Sequence, residues 1–103
     1  MPASIAHLKS EGLSQEDIRI ATALLYCRYR CLFSSIVREH DRDGGTVLVV
    51  KGVMVPTEPL LKIFRWQGKY VCVECQSDEV FESDGITDLL DTVRERFPYI
   101  SSL

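Results

Sequence analysis

A chain of 103 residues, 46% apolar and 26% charged, with a net charge of −3, has the size and balance of one soluble globular domain, and residues 1–103 are read as a single unit. The acidic balance excludes a generic nucleic-acid binder. The longest near-apolar run, residues 47–55, is broken by Lys51 and Gly52 and falls well short of the ~20 apolar residues of a membrane span. The opening Met-Pro-Ala-Ser-Ile-Ala-His has neither the basic nor the apolar region of a secretory signal, so an intracellular protein, cytoplasmic or nuclear, is expected.

Residues 2–12 read as a short turn of helix around Ile5, Ala6 and Leu8, ended by Gly12. Leu13 then stands where a hydrophobic staple residue would, and Ser14 with Asp17 has the form of a capping box. No Gly or Pro follows until Gly44, which predicts one long N-terminal helix from Ser14 to about Asp41. Such a helix would be about 40 Å long at 1.5 Å per residue. Ile18, Ala21, Leu25, Tyr29, Leu32, Phe33 and Ile36 fall on one apolar stripe, and Ile20, Ala23, Leu24, Cys27 and Cys31 on a second, roughly opposite. A helix laid once on a sheet needs only one apolar stripe. The second stripe therefore points to a homodimer, with Ile20, Leu24, Cys27 and Cys31 as its interface.

Asp43-Gly44-Gly45 is a turn signal. Thr46 to Val55 is a strand, apolar on both faces, and Pro56-Thr57-Glu58-Pro59 ends it. Leu60–Trp66 and Lys69–Gln76 form a hairpin about Gln67-Gly68. A two-residue turn pairs Trp66 with Lys69, Phe64 with Val71, Lys62 with Val73 and Leu60 with Cys75. Leu60, Phe64, Val71, Val73 and Cys75 then share one face. Leu61, Ile63, Arg65, Tyr70, Cys72 and Glu74 make a mixed face on the other side. Val80 and Phe81 supply a short fourth strand or pin a loop to the core. Ile86, Leu89, Leu90, Val93 and Phe97 define the buried face of a C-terminal helix, capped by Ser83 or Asp84 and stopped by Pro98. The expected fold is α+β: a long N-terminal helix, an antiparallel meander of three strands, or four, and a C-terminal helix.

Charge is segregated along this order. Ile18 to Arg38 holds four arginines and no acid; Asp78 to Asp91 holds six acids and no base. Opposite-sign faces of this kind steer partners.

Little in the chain points to chemistry. Cys27 and Cys31, with Cys72 and Cys75, offer two thiol pairs for a zinc ion. The Cys72-Val73-Glu74-Cys75 motif lies in a strand, where positions three apart face opposite ways. Structural cysteines, with no metal and no cofactor, are therefore expected. His7 and His40 stand alone, with no companion at ligand or triad spacing, and the acids of the last helix read as a solvated face. Arg65, Trp66, Lys69 and Tyr70 cluster at the hairpin tip, a composition suited to a protein hot spot or to a single-stranded nucleic-acid platform. Size, acidity and element order are similar to those of small secretion chaperones and immunity-type inhibitors, a likeness of fold type carried by no motif.

The expected function is a non-enzymatic protein-binding module of adaptor, chaperone or inhibitor type. It pairs with itself through the long helix and meets a protein partner through Arg65, Trp66 and Tyr70. The alternatives are a small nucleic-acid-binding regulator using the Arg-rich helix and the 65–70 tip, and a zinc protein using Cys27, Cys31, Cys72 and Cys75.

Overall fold

Every described strand pairs with its sequence neighbour, and the order of elements follows from that. The computed structural model describes residues 12–28, 33–40, 45–52 and 59–96. The elements are α1 (Gln15–Arg28), β1 (Phe33–His40), β2 (Thr46–Gly52), β3 (Pro59–Trp66), β4 (Lys69–Glu74), β5 (Glu79–Ser83) and α2 (Ile86–Arg96). The five strands form one antiparallel sheet in the order β1-β2-β3-β4-β5. The fold is α+β, with both helices on one face of the sheet.

The long helix is corrected. Helix ends at Arg28, and Phe33–His40 is the first strand of the sheet. Ser34, Ser35, Ile36 and Val37 are poor helix formers, and the β-branched pair among them favours a pleated surface. β1 is laddered to β2 from Phe33 opposite Gly52 to His40 opposite Thr46. That backbone pairing outweighs a helical pattern which nothing but the lack of Gly and Pro had kept intact. The sheet accordingly has five strands rather than three or four. The short turn expected over residues 2–12 lies almost wholly outside the described residues, as do Phe97 and Pro98.

The β3–β4 register is the expected one, from Trp66 opposite Lys69 to Leu61 opposite Glu74, and the Cys75 N–H donates to the Leu60 carbonyl at 3.0 Å. Gln67 and Gly68 both have positive φ, 52° and 80°. This is the type I′ turn, whose twist matches the flanking strands. At the other end of β4, Glu74 is fully buried, and its Oε1 accepts from both the N–H and the hydroxyl of Ser77 at 2.8 Å, closing the turn into β5.

Alternation along the strands gives the sheet two unlike faces. Leu48, Val50, Leu61, Ile63 and Cys72 point to the helices and pack with Ile18, Ala21 and Leu25 of α1 and with Ile86, Leu89, Leu90 and Val93 of α2. The opposite face carries Val37, Val47, Val49, Phe64, Val71, Val73 and Val80, and no described helix or strand lies over it. The helices thus took the face that the hairpin register marks as mixed. Its polar members sit where they are bonded: Tyr70 reaches Asp17, and Glu74 holds its turn.

The chain meets α1 through a tight corner. Gly12 has φ +62°, and Leu13 donates its N–H to the Thr46 carbonyl at 3.2 Å. A Cβ on Gly12 would lie 2.7 Å from the Thr46 nitrogen and 2.8 Å from the Gly45 Cα, both backbone atoms that cannot swing away. Gly12→Ala combines a left-handed backbone with this collision. It should destabilise the protein by roughly 2 kcal/mol or more, read as a lower urea midpoint at unchanged slope.

Candidate functional site

Three polar side chains meet where α1 starts over the sheet. Ser14 Oγ accepts from the Asp17 N–H, and Asp17 Oδ2 accepts from the Ser14 N–H, both at 3.1 Å. This is the reciprocal capping box that the spacing predicts. Leu13 and Ile18, on either side of it, are both buried in the core as a hydrophobic staple requires. The second carboxylate oxygen, Oδ1, accepts from the Tyr70 hydroxyl at 2.8 Å, across 53 residues of chain. The Arg65 guanidinium lies over the Tyr70 ring, 5.5 Å from its centre.

Asp17 is only 8% exposed. Burial pushes its carboxyl up, but the hydrogen bonds from Ser14 and Tyr70, with Arg65 nearby, outweigh burial and hold it below the usual value. Burial, and then the Asp17 carboxylate, push the Tyr70 hydroxyl above its ordinary value. The cluster is a structural tie: both oxygens of the carboxylate are engaged, and the tyrosine is its donor.

This tie divides the hairpin-tip cluster expected from the sequence. Arg65 and Tyr70 are opposite one another on the helix-facing side. Trp66 and Lys69 are the next pair, on the other side, where Trp66 is 41% exposed and Lys69 contacts Asp84 at 3.4 Å. The four side chains do not form one surface.

The second helical stripe is also dispersed. Ile20 and Leu24 are half-buried against the flank of the core, Cys27 is exposed near the end of α1, and Cys31 lies outside the described residues. Cys72 is buried between sheet and helices, and Cys75 is half-buried in the β4–β5 turn. Burial raises the Cys72 thiol strongly and raises Cys75 as well, so neither is poised as a thiolate. Among the described residues no three His, Cys, Asp or Glu side chains are placed to share a metal ion.

Sequence reasoning did not single out the outer face of the sheet as a site. Two rows of side chains cross it. One runs Glu39, Val47, Phe64, Val71, Glu82, and the next runs Val37, Val49, Lys62, Val73, Val80. Val49 and Val71 are 2% and 5% exposed, while Val80 is 57% exposed. Phe64 and Val73 are half-buried. The signal was present in the register, which put Phe64, Val71 and Val73 on one face, but a register does not say which face the helices cover.

Two predictions follow from the geometry of the tie and the thiols. The folded Asp17 pKa is below the unfolded one, so its contribution is complete above the ordinary aspartate value and is lost as pH falls through the folded pKa. Tyr70 has the opposite sign: its contribution holds below the ordinary tyrosine value and is lost as pH rises through the folded pKa. Tyr70→Phe should lower stability by about 1 kcal/mol, and Asp17→Ala by about 2 kcal/mol through the lost cap and the stranded hydroxyl. Asp17→Asn should flatten the acid limb of a denaturation-versus-pH curve. Among Cys27, Cys72 and Cys75, alkylation of the native protein followed by mass spectrometry should modify Cys27 first and Cys72 only on unfolding. Comparison of the chain with protein-family models, with curated proteins and with solved structures finds no match.

Proposed function

We propose that this chain is a non-enzymatic protein-binding module of adaptor, chaperone or inhibitor type, and that it pairs with a second copy through the outer face of its sheet. The observation that carries this reading is the apolar set Val37, Val47, Phe64, Val73 and Val80, drawn from the two adjacent rows of a sheet face with no described element across it. Val37, Val47, Phe64 and Val73 are half-buried and Val80 is 57% exposed, and monomeric proteins seldom leave contiguous apolar surface to water. Face-to-face packing of two such sheets at a spacing of about 10 Å is the ordinary way to bury it. The helix stripe first expected to do this has no long helix to carry it. Lys62, in the middle of the face, can lay its aliphatic stem on the valines while its ammonium reaches the rim.

Five strands spaced about 4.8 Å apart make a face roughly 24 Å across, which places the contact at the small end of specific interfaces. Association should therefore be reversible and in the micromolar class. Free thiols at Cys27, Cys72 and Cys75 support an intracellular setting, where thiols stay reduced. No helix among the described residues is long and apolar enough to cross a membrane.

Sedimentation velocity over a range of micromolar concentrations should show a monomer–dimer equilibrium under reducing conditions. Phe64→Lys or Val73→Lys should leave a monomer with unchanged far-ultraviolet circular dichroism. A wild-type chain that remains monomeric at high micromolar concentration overturns the pairing.

A further inference from the structure

Among the described residues, the helix layer does not close over the first edge of the sheet. α2 packs on β4 and β5, and α1 packs beside α2. At the β1 end this leaves a cleft of about 560 Å³ between α1 and β1. Its walls are Gln15, Glu16, Arg19, Thr22 and Ala23 of α1 and Arg38 of β1, with Ile18 at its base. The volume lies in the range of ordinary binding clefts, and the lining sets five polar side chains around Ile18 and Ala23.

Three features give this cleft a chemistry. It carries two guanidiniums, one from each wall, against a single carboxylate. That carboxylate, Glu16, is already ion-paired with Arg19 and sits below its ordinary value because of that pair. Arg38 is exposed and, among the described residues, has no ion pair. The α1 N-terminus is not the source of the positive field, since Ser14 and Asp17 already cap each other.

The backbone beside the cleft is equally specific. β1 is an edge strand of eight residues that pairs only with β2 among the described residues. Its other edge can accept a further strand. Ile36, Arg38 and, at the end of the strand, His40 lie on the helix-facing side of β1, paired opposite Val50, Leu48 and Thr46. The next strand's side chains on that side would enter the cleft at alternate positions.

We propose that the β1 edge and the α1–β1 cleft together form a docking site for an extended acidic peptide segment of a partner protein. The segment adds to the sheet through its backbone. Its alternate side chains put an apolar group on Ile18 and Ala23 and a carboxylate on Arg38. This rests on the protein-binding reading, and it names a second surface and the chemistry of what that surface takes. Arg38 is the anchor, and the Glu16–Arg19 pair acts as a competitor that holds one guanidinium back.

The test uses the full chain and two synthetic peptides as long as β1, one alternating Val and Thr with Glu, the other with Lys in place of Glu. Titration should show binding of the Glu peptide, weakened by salt, with amide shifts concentrated on β1 and the first two turns of α1. Arg38→Glu should weaken it at least about tenfold, as expected for loss of a charge-assisted contact and its reversal. Glu16→Gln should tighten it by releasing Arg19. Equal binding of the Lys peptide, no binding of either, or full affinity in the Arg38→Glu protein overturns the proposal. So does displacement of the peptide by a single-stranded oligonucleotide at lower concentration, which would reassign the cleft to phosphate. Shifts confined to Phe64, Val73 and Val80 would overturn the cleft while leaving the protein-binding reading in place, and Phe64→Lys separates the two surfaces.

Discussion

One buried carboxylate fastens the two layers of this protein to each other. Asp17 closes the first turn of α1 through Ser14 and accepts the Tyr70 hydroxyl from the sheet. A helix that rested on β4 through Ile18, Ala21 and Leu25 alone could slide or rotate, because apolar contacts have no direction. The hydrogen bond fixes its position along the sheet and its rotation about its own axis. The Gly12–Leu13 corner fixes it a second time, through the Thr46 carbonyl at the start of β2. Between them these contacts join the beginning of α1 to two strands on either side of β3.

The same arrangement bears on the opposite side of the sheet. With both described helices on one side, no described helix or strand lies over the valines and Phe64 of the other. The deep members of that layer, Val49 and Val71, are well hidden, whereas the rim position Val80 is open. Antiparallel sheets tolerate one solvated face when that face is polar. Here the middle of the face is apolar apart from Lys62, with Lys51, Lys69 and the glutamates towards its edges. The charge asymmetry has a geometric counterpart in the strand order. The six acids of 78–91 gather at the β5 edge and on α2, and Arg38 stands at the opposite edge.

Much of this was legible from residues alone, and the exceptions have identifiable causes. The β3–β4 register followed from one dipeptide, because a two-residue turn leaves no freedom in pairing. α2 followed from its buried residues, whose spacing suits no other element. The capping box and the staple were local, and local interactions are what a sequence displays most directly. The division of residues 14–41 into a helix and a strand was hidden, because the ladder between Phe33–His40 and Thr46–Gly52 is a tertiary interaction. Ser34-Ser35-Ile36-Val37, followed by Asp43-Gly44-Gly45 and a second β-prone run, was the available warning. Sidedness was hidden for a related reason. Alternation tells which residues share a face, but not which face the helices will choose, and the partners that satisfy Tyr70 and Glu74 on the inner side are set by the fold.

The order of the strands also sets a timetable for the chain as it leaves the ribosome. Each strand pairs with the one just made, so the sheet grows by successive hairpins with short loops to close, a rapid kind of assembly. α1 is the exception. It is synthesised first, yet its anchor Tyr70 follows Asp17 by 53 residues. Until β4 has emerged, Ile18, Ala21 and Leu25 have no complete surface to rest on. The apolar side of α1 is therefore the part of the nascent protein that waits longest, and the part for which a chaperone has most use.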